Sequence, residues 1–458
     1  MPPIAASLQV VILAAGQGKR MHSDLPKVLH PLGGRPLLAH VLQAARELAP
    51  ERLCVVIGHG GQAVRTQFAD ATIRWVVQGQ QLGTAHAVMQ ALPNLAPQGV
   101  VLVLYGDVPL IASNTLRALI EAARHGHLGL LTQALEDPRG YGRIVRDSAG
   151  NVIRIVEEKD ATAEERAIRE VNTGILAMPS QRLEPWLKGL GNDNAQREYY
   201  LTDVVSAAVG EGVFVEVCHP ATAYECLGVN SKLDLATLER VYQMKQAEKL
   251  LQSGVTLADP ARIDLRGELT CGRDVFIDVN CIFEGRVELG DGVRIGANCI
   301  LRDVIVGGQT EIKPFSMLEE TSVGKNARIG PYARIRPGTR LDDEVHVGNF
   351  VEVKASTLGR GSKANHLAYL GDTSVGRDVN IGAGTITCNY DGAYKHQTII
   401  EDDVHIGSDV QLIAPVKVGK GATIAAGATI TDDVPPGGLT LTAKKQITKP
   451  DWQRPRKK

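Results

Sequence analysis

Up to about residue 228, apolar runs alternate with stretches of helical spacing: VVILAAG, then PLLAHVLQAARELA, RLCVVIG, GTAHAVMQALPNL and VVLVLYGD. Short apolar runs and helical patterns in alternation predict a mostly parallel sheet covered on both faces, an α/β arrangement of Rossmann-like character. In such sheets a ligand sits at the carboxyl ends of the strands, where LAAGQGKR and LYGD both fall. LDLATLERVYQMKQAEKLL, from about Lys232 to Leu251, has helical spacing and good helix formers and reads as a connecting helix. The boundaries expected are 1–229 for the first domain, 230–254 for the linker helix and 255–458 for the remainder.

Beyond residue 255 a period of six takes over. It runs Val323, Ile329, Ile335, Leu341, Val347, Val353, and after an interruption Ile400, Ile406, Leu412, Val418, Ile424, Ile430. The fourth residue after the aliphatic is small or β-branched, as at Ala327, Ala333, Thr339, Val410, Val416, Ala422 and Ala428. A helix cannot use a period of six, and a flat strand would use two. The repeat predicts an all-β parallel β-helix, each aliphatic entering a stacked core. Asn389 to Thr398, NYDGAYKHQT, breaks the rhythm and is expected as a loop thrown out of the solenoid.

Composition narrows the picture. At 458 residues the chain is too long for one ordinary core. Fifty basic residues against 51 acidic argue against nucleic acid or an anionic membrane as the main partner. The seven cysteines stand singly, which points to a reducing compartment. The N-terminus lacks a signal-peptide pattern, and no run reaches the roughly 18 apolar residues of a membrane span. The expectation is a cytoplasmic protein without membrane insertion.

Leu13 to Lys27 reads LAAGQGKRMHSDLPK, directly after an apolar strand. It is not a Walker loop, since position 13 is Leu and position 20 is Arg. It is not a full dinucleotide fingerprint either, since Met21 fills the third glycine slot. Two glycines that let backbone approach an anion, with Lys19, Arg20 and Lys27 close by, point to phosphate. Asp107 ends the strand VVLVL, where a carboxylate could hold Mg²⁺ beside phosphate oxygens or could simply cap a turn. Asn230, in LGVNSK, could add a neutral oxygen or be a turn residue. Gln78, with Gly83 and Thr84, suggests an amide reading a base edge.

In the second half His366, in KANHLAYLGD, sits where the ladder is interrupted, and a histidine near neutral pKa can take a proton from an attacking amine. A surface histidine on a turn would look the same. His346, His366, His396 and His405 also raise a zinc site, against which their differing registers count.

LAAG through Met21, with Pro26 and Lys27, resembles the signature of sugar-nucleotide pyrophosphorylases. With QLGTAHA, YGDVPL, YGRI, NTGI, LGVN and the hexapeptide half, residues 8 to 440 resemble the family of bacterial bifunctional N-acetylglucosamine-1-phosphate uridyltransferases and glucosamine-1-phosphate N-acetyltransferases. The resemblance implies a nucleotidyltransferase domain followed by a left-handed parallel β-helix, working as a homotrimer on UTP, acetyl-CoA and amino-sugar phosphates, with Mg²⁺. It implies that Leu13, Ala14, Ala15 and Gly16 contact the nucleotide. Gln78, Gly83 and Thr84 would hold the uracil side, beside Tyr105 and Gly106. Arg20 and Lys27 would face the phosphates, and Gly142, Glu157 and Asn172 would grip N-acetylglucosamine. Asp107 and Asn230 would carry the metal.

For acetyl transfer the resemblance implies Arg336 and Lys354 on the sugar phosphate and His366 as general base. Tyr369 and Asn380 would line the amino-sugar site, and Ala383, Asn389, Tyr390, Ser408 and Ala426 the acetyl-CoA groove. Glu352 is the expected orienter of His366. One position departs: Ala443, followed by Lys444 and Lys445, stands where the family carries an Arg that contacts coenzyme A. Two other readings remain: a single-activity pyrophosphorylase whose β-helix only oligomerises, and a non-catalytic regulatory subunit.

Overall fold

The computed structural model describes residues 7–442 and 446–454, so the departure at Ala443, Lys444 and Lys445 lies outside the described residues. The chain divides into two compact units, Met1–Tyr242 and Gln243–Lys458. The break falls within the helix Lys232–Gln252, which the helical spacing had predicted.

In the first unit the main sheet runs, edge to edge, Val215–Cys218, Leu128–Ala134, Glu170–Pro179, Val100–Tyr105, Leu8–Ala14, Arg52–Ile57 and Ile73–Val77. Glu170–Pro179 is antiparallel to both its neighbours, and the other pairings along this path are parallel. Alternate residues of the central strand Leu8–Ala14 enter opposite cores. Val10 and Ile12 join one cluster, Val11 and Leu13 the other. Burial on both faces is why this strand reads from Val10 as a continuous apolar run rather than an alternating one.

The second unit is a parallel solenoid built from an eleven-stranded and a fifteen-stranded sheet. Ile263 pairs with Cys281, eighteen residues on, and His346 with Lys363, seventeen on, so each coil takes three short strands. All twelve ladder aliphatics predicted from the sequence are buried. The ladder does not stop at Val353, however. Leu358, Ala364, Leu370, Val375 and Ile381 continue it with steps of five or six. A seventeen-residue coil drops one residue from a corner, which hides the period in the sequence while leaving the core intact. The one large interruption is the predicted loop. Asn380 pairs with His405, twenty-five residues on, and within the added segment Tyr390 bridges Lys395.

Coil corners take left-handed backbone, and four of them carry bulky residues: Phe315, Tyr332, Phe350 and Leu367, with φ of 62°, 57°, 55° and 48°. Such residues adopt this region at a cost. Three of the rings stack, Phe315 on Tyr332 at 4.9 Å and Tyr332 on Phe350 at 5.2 Å between centroids, which offsets part of it. The seven cysteines are all free. Among the described residues no helix is long and apolar enough to cross a membrane.

Stacked cores of this kind make a sharp stability prediction. Ile329→Ala should lower unfolding stability by about 2–5 kcal/mol, since Ile329 is wholly buried. Arg328→Ala, on the exposed side of the same short strand, should stay within about 0.5 kcal/mol of the parent. Urea unfolding followed by circular dichroism measures both, and equal losses would contradict the inward ladder.

Candidate functional site

The carboxyl end of the strand Leu8–Ala14 opens on a cavity of about 420 Å³. Leu13 stands level with Tyr105, so the segments that follow them leave the sheet side by side. The Gly106 N–H donates to the Leu13 carbonyl at 2.9 Å. Gly18 is left-handed, and a Cβ there would lie 2.8 Å from the Cβ of Lys27. The second glycine of the turn therefore makes room for Lys27 as much as for an anion.

Lys27 Nζ donates to the Asp107 carboxylate and, at 3.3 Å, to Asn230 Oδ1. The Lys27 and Asp107 side chains are only 13% and 15% exposed, so the pair is formed largely out of water. Asn230 is fixed from behind: its N–H and that of Ser231 donate to Asp234 Oδ2 at 3.0 and 2.8 Å. The Val229 N–H also donates to the Asp107 carbonyl. An ammonium thus stands between one carboxylate and one neutral oxygen, a donor set of the kind Mg²⁺ uses with phosphate and water. Among the described residues no group of three His, Cys, Asp or Glu is placed to hold a metal by itself.

Leu13, Ala14, Ala15, Gly16, Lys27, Gln78, Gly83, Thr84, Tyr105, Asp107 and Asn230 all line this cavity. Lys19 and Arg20 do not; they sit exposed on the turn Lys19–Met21. Of the three basic residues in the motif, only Lys27 reaches in. Gly83, with φ of 108°, passes so close to Tyr199 that a Cβ would meet its carbonyl oxygen at 2.5 Å. The Ala85 N–H donates to that same oxygen, anchoring the helix Thr84–Ala91. Burial pushes the Tyr105 phenol well above its ordinary pKa, so it stays neutral in the cavity wall.

Gly106, Gly142, Glu157 and Asn172 are not among the lining residues, although Tyr141 and Thr173, next to two of them, are. The Asn172 N–H donates to the Gly142 carbonyl at 2.8 Å. Glu157 accepts from Thr202 Oγ1 at 3.0 Å, and burial raises its carboxyl pKa. It lines a neighbouring cavity of about 380 Å³ with Asp160 and Asp203. Gln81, Tyr141 and Thr173 also line the first cavity; they stand within QLGTAHA, YGRI and NTGI but were not singled out there, and Glu198, a further lining residue, belongs to none of these patterns.

In the solenoid, pairing level by level brings the second group together. Asn349 pairs with His366, and continuing that register through the following coils gives Ala383, Ser408 and Ala426. The exposed His366 therefore heads a column of small or short residues. The ladder runs through its coil, so His366 does not mark an interruption. Its orienter also differs from expectation. Nδ1 of His366 faces Asn349 Oδ1 at 2.8 Å, whereas Glu352 is taken up by Arg336 at 2.8 Å. With Asn349 accepting from Nδ1–H, the Nε2 lone pair is left free for a proton.

Arg336 stands level with Lys354, and Glu352 with Tyr369. Lys354 reaches Asp372 at 3.2 Å, and Asn389 donates to the same carboxylate. Asn380 lies 3.5 Å from His405. Tyr390 is exposed, its hydroxyl donating to the Gly392 carbonyl at 2.6 Å. Lys395, from the extruded loop, is the residue the sequence did not single out. The neighbouring Lys354 ammonium pushes the Lys395 pKa down. Three cations, Arg336, Lys354 and Lys395, meet at one face of the solenoid with two carboxylates to balance them. This arrangement suits a phosphate.

Comparison with known proteins agrees with this division of the chain. A MobA-like NTP transferase domain matches residues 10–187. A GMPPB C-terminal domain matches residues 265–358, and six bacterial transferase hexapeptide repeats match residues 397–432. A protein of Nitrosospira multiformis named bifunctional protein GlmU is 62% identical over 99% of both chains. Those of Aromatoleum aromaticum and Cupriavidus pinatubonensis, which carry the same name, are 61% and 60% identical over 98% of this chain and 99% of their own. With identity at this level running through both the cavity and the solenoid, the chain belongs to the family of bifunctional GlmU proteins.

Proposed function

We propose that the chain makes UDP-N-acetylglucosamine in two steps at two sites. The solenoid transfers acetyl from acetyl-CoA to glucosamine-1-phosphate. The first unit then transfers uridylyl from UTP to N-acetylglucosamine-1-phosphate and releases pyrophosphate. The observation that carries this reading is that one chain holds two separate cation-lined sites, one at a nucleotide-type strand end and one beside a free imidazole. An oligomerisation module would need neither His366 with its fixed tautomer nor the cluster Arg336, Lys354 and Lys395.

At the acetyl site the amine nitrogen attacks the thioester carbonyl carbon. His366 Nε2 takes the amine proton, and the carbon–sulfur bond breaks to release coenzyme A as its thiol. Arg336, Lys354 and Lys395 hold the sugar phosphate. Tyr369 and Asn380 line the amino sugar, and the column from Ala383 through Ser408 to Ala426, with Asn389 and Tyr390, receives acetyl-CoA. At the uridylyl site a sugar-phosphate oxygen attacks the α-phosphorus, and the bond to the β-phosphate bridging oxygen breaks. Little covalent work falls to the protein; positioning and charge neutralisation dominate. Leu13 to Gly16 position the nucleotide, Lys27 supplies a cation at the phosphates, and Gly142, Glu157 and Asn172 hold the sugar. Asp107 and Asn230 would hold Mg²⁺, which neutralises phosphate charge when bound. The working form is a homotrimer in the cytoplasm, acting on small molecules.

Asp107→Ala should lower uridylyl transfer by at least about 10², because it leaves Lys27 without its carboxylate and removes the metal's charged ligand. Acetyl transfer should persist. His366→Ala should do the reverse, lowering acetyl transfer roughly 10²–10⁴-fold. Incubation with glucosamine-1-phosphate and acetyl-CoA, and separately with supplied N-acetylglucosamine-1-phosphate, UTP and Mg²⁺, each read by mass spectrometry, assigns each loss. If either variant loses both activities equally, two independent sites are ruled out.

Lys395 gives a prediction in pH. It must be protonated to hold phosphate, and its pKa lies below that of an ordinary lysine. Its contribution is therefore present at neutral pH and lost as pH rises through that lowered value. The KM for glucosamine-1-phosphate should climb on the alkaline side before ordinary lysines titrate. Lys395→Ala should raise KM about fivefold at neutral pH and remove that early climb. An unaltered KM profile would take Lys395 out of the site.

A further inference from the structure

Gln78 is buried, lines the nucleotide cavity and has a fixed amide. Its Nε2 donates to the Gly83 carbonyl at 3.1 Å and lies 3.1 Å from Nδ1 of His86. A primary amide has two N–H bonds, and here both are spent inside the protein. Gln78 Oε1 has no partner among the described residues, so it is the atom left to meet a ligand.

The tautomer of His86 follows from its other neighbour. Gln90 Nε2 is placed 3.2 Å from His86 Nε2, yet a neutral imidazole carries one N–H and cannot accept from two amides. One amide must turn over. Turning Gln78 would set its oxygen against the Gly83 carbonyl in a buried place, which is costly. Gln90 is half-buried and has only a 3.3 Å contact with the His86 carbonyl to give up. Its oxygen then accepts from Nε2–H, and Nδ1 is left as an acceptor for Gln78.

We infer that His86 is a specificity-determining positioning residue. By holding Nδ1 as an acceptor it keeps Gln78 Oε1 turned to the cavity, where it accepts from the N3–H of a uracil-type base. Uracil carries that single ring donor; cytosine presents a lone pair at N3, which would face the amide oxygen without a proton between them. The selection comes from Gln78, and its direction comes from a helix residue that need not touch the base. This inference rests on the uridylyl reading of the cavity.

The test is the ratio of kcat/KM for UTP to kcat/KM for CTP in the full-length protein. His86→Leu removes one of the two acceptors that hold the Gln78 amide and leaves the Gly83 carbonyl as the other. The orientation is then held less firmly, and the preference for UTP should fall roughly three- to tenfold, the worth of one neutral hydrogen bond. His86→Asn offers an oxygen near the place of Nδ1 and should keep most of the preference; His86→Ala serves if leucine does not fit. A structural role alone would lower the use of both nucleotides and leave their ratio alone. Retained preference in His86→Leu, or loss in His86→Asn equal to that in His86→Leu, overturns the role of His86. A parent protein that uses UTP and CTP alike would instead overturn the uridylyl reading itself.

Discussion

In a parallel pair each residue stands level with one partner, and the hydrogen bonds that set the level run the length of the strand. Several of the candidate side chains in this protein are placed by such a level. Leu13 beside Tyr105 brings the glycine turn next to Asp107, although more than ninety residues separate them in sequence. Asn349 beside His366 fixes the imidazole tautomer, and the same level carried onward yields Ala383, Ser408 and Ala426. A shift of one residue in either sheet would turn each of these side chains to the opposite face. The apolar ladders that prevent such a shift are therefore part of the chemistry.

Both sites also hold cations that already have partners. Lys27 rests against Asp107 and Asn230, and Lys354 against Asp372. A buried ammonium without a carboxylate would be costly, and a free one on the surface would lose rotamer entropy on binding phosphate. Holding each cation in place beforehand reduces that loss. The partners differ in kind, since the Lys27 pair is mostly out of water whereas Arg336 and Glu352 are each about one-third exposed. Removing Asp107 should therefore cost more than removing Glu352.

Much of this was legible in the sequence. The run VVILAAG and the acid ending VVLVLYGD located the cavity because strand ends in such sheets carry ligands. The period of six located the solenoid. Five-residue steps at Leu358 and Val375 were not legible, because dropping one corner residue leaves the core unaltered but breaks the count. Lys19 and Arg20 were grouped with Lys27 by proximity along the chain, yet they stand exposed on a short turn and do not line the cavity. Glu352 looked like the partner of His366 by chemical type, but register gave that place to Asn349 and left Glu352 to Arg336. Lys395 was hidden because its loop read only as an interruption, and its contact with Lys354 exists only after the coil closes.

That loop has a consequence for how the protein can change. Coils of a solenoid touch only their neighbours, so order on one side of an insertion does not depend on the insertion's length. Here Ser374 pairs with Ile399 and Thr387 with Leu412, so pairing resumes cleanly around the extruded segment. Asn389, Tyr390 and Lys395 thus ride on a stretch that can lengthen, shorten or be exchanged while the frame stays as it is. The solenoid works as a rack with one adjustable shelf. New substrate contacts can be tried there without re-solving the folding problem, whereas the rigid column headed by His366 leaves little room for such variation.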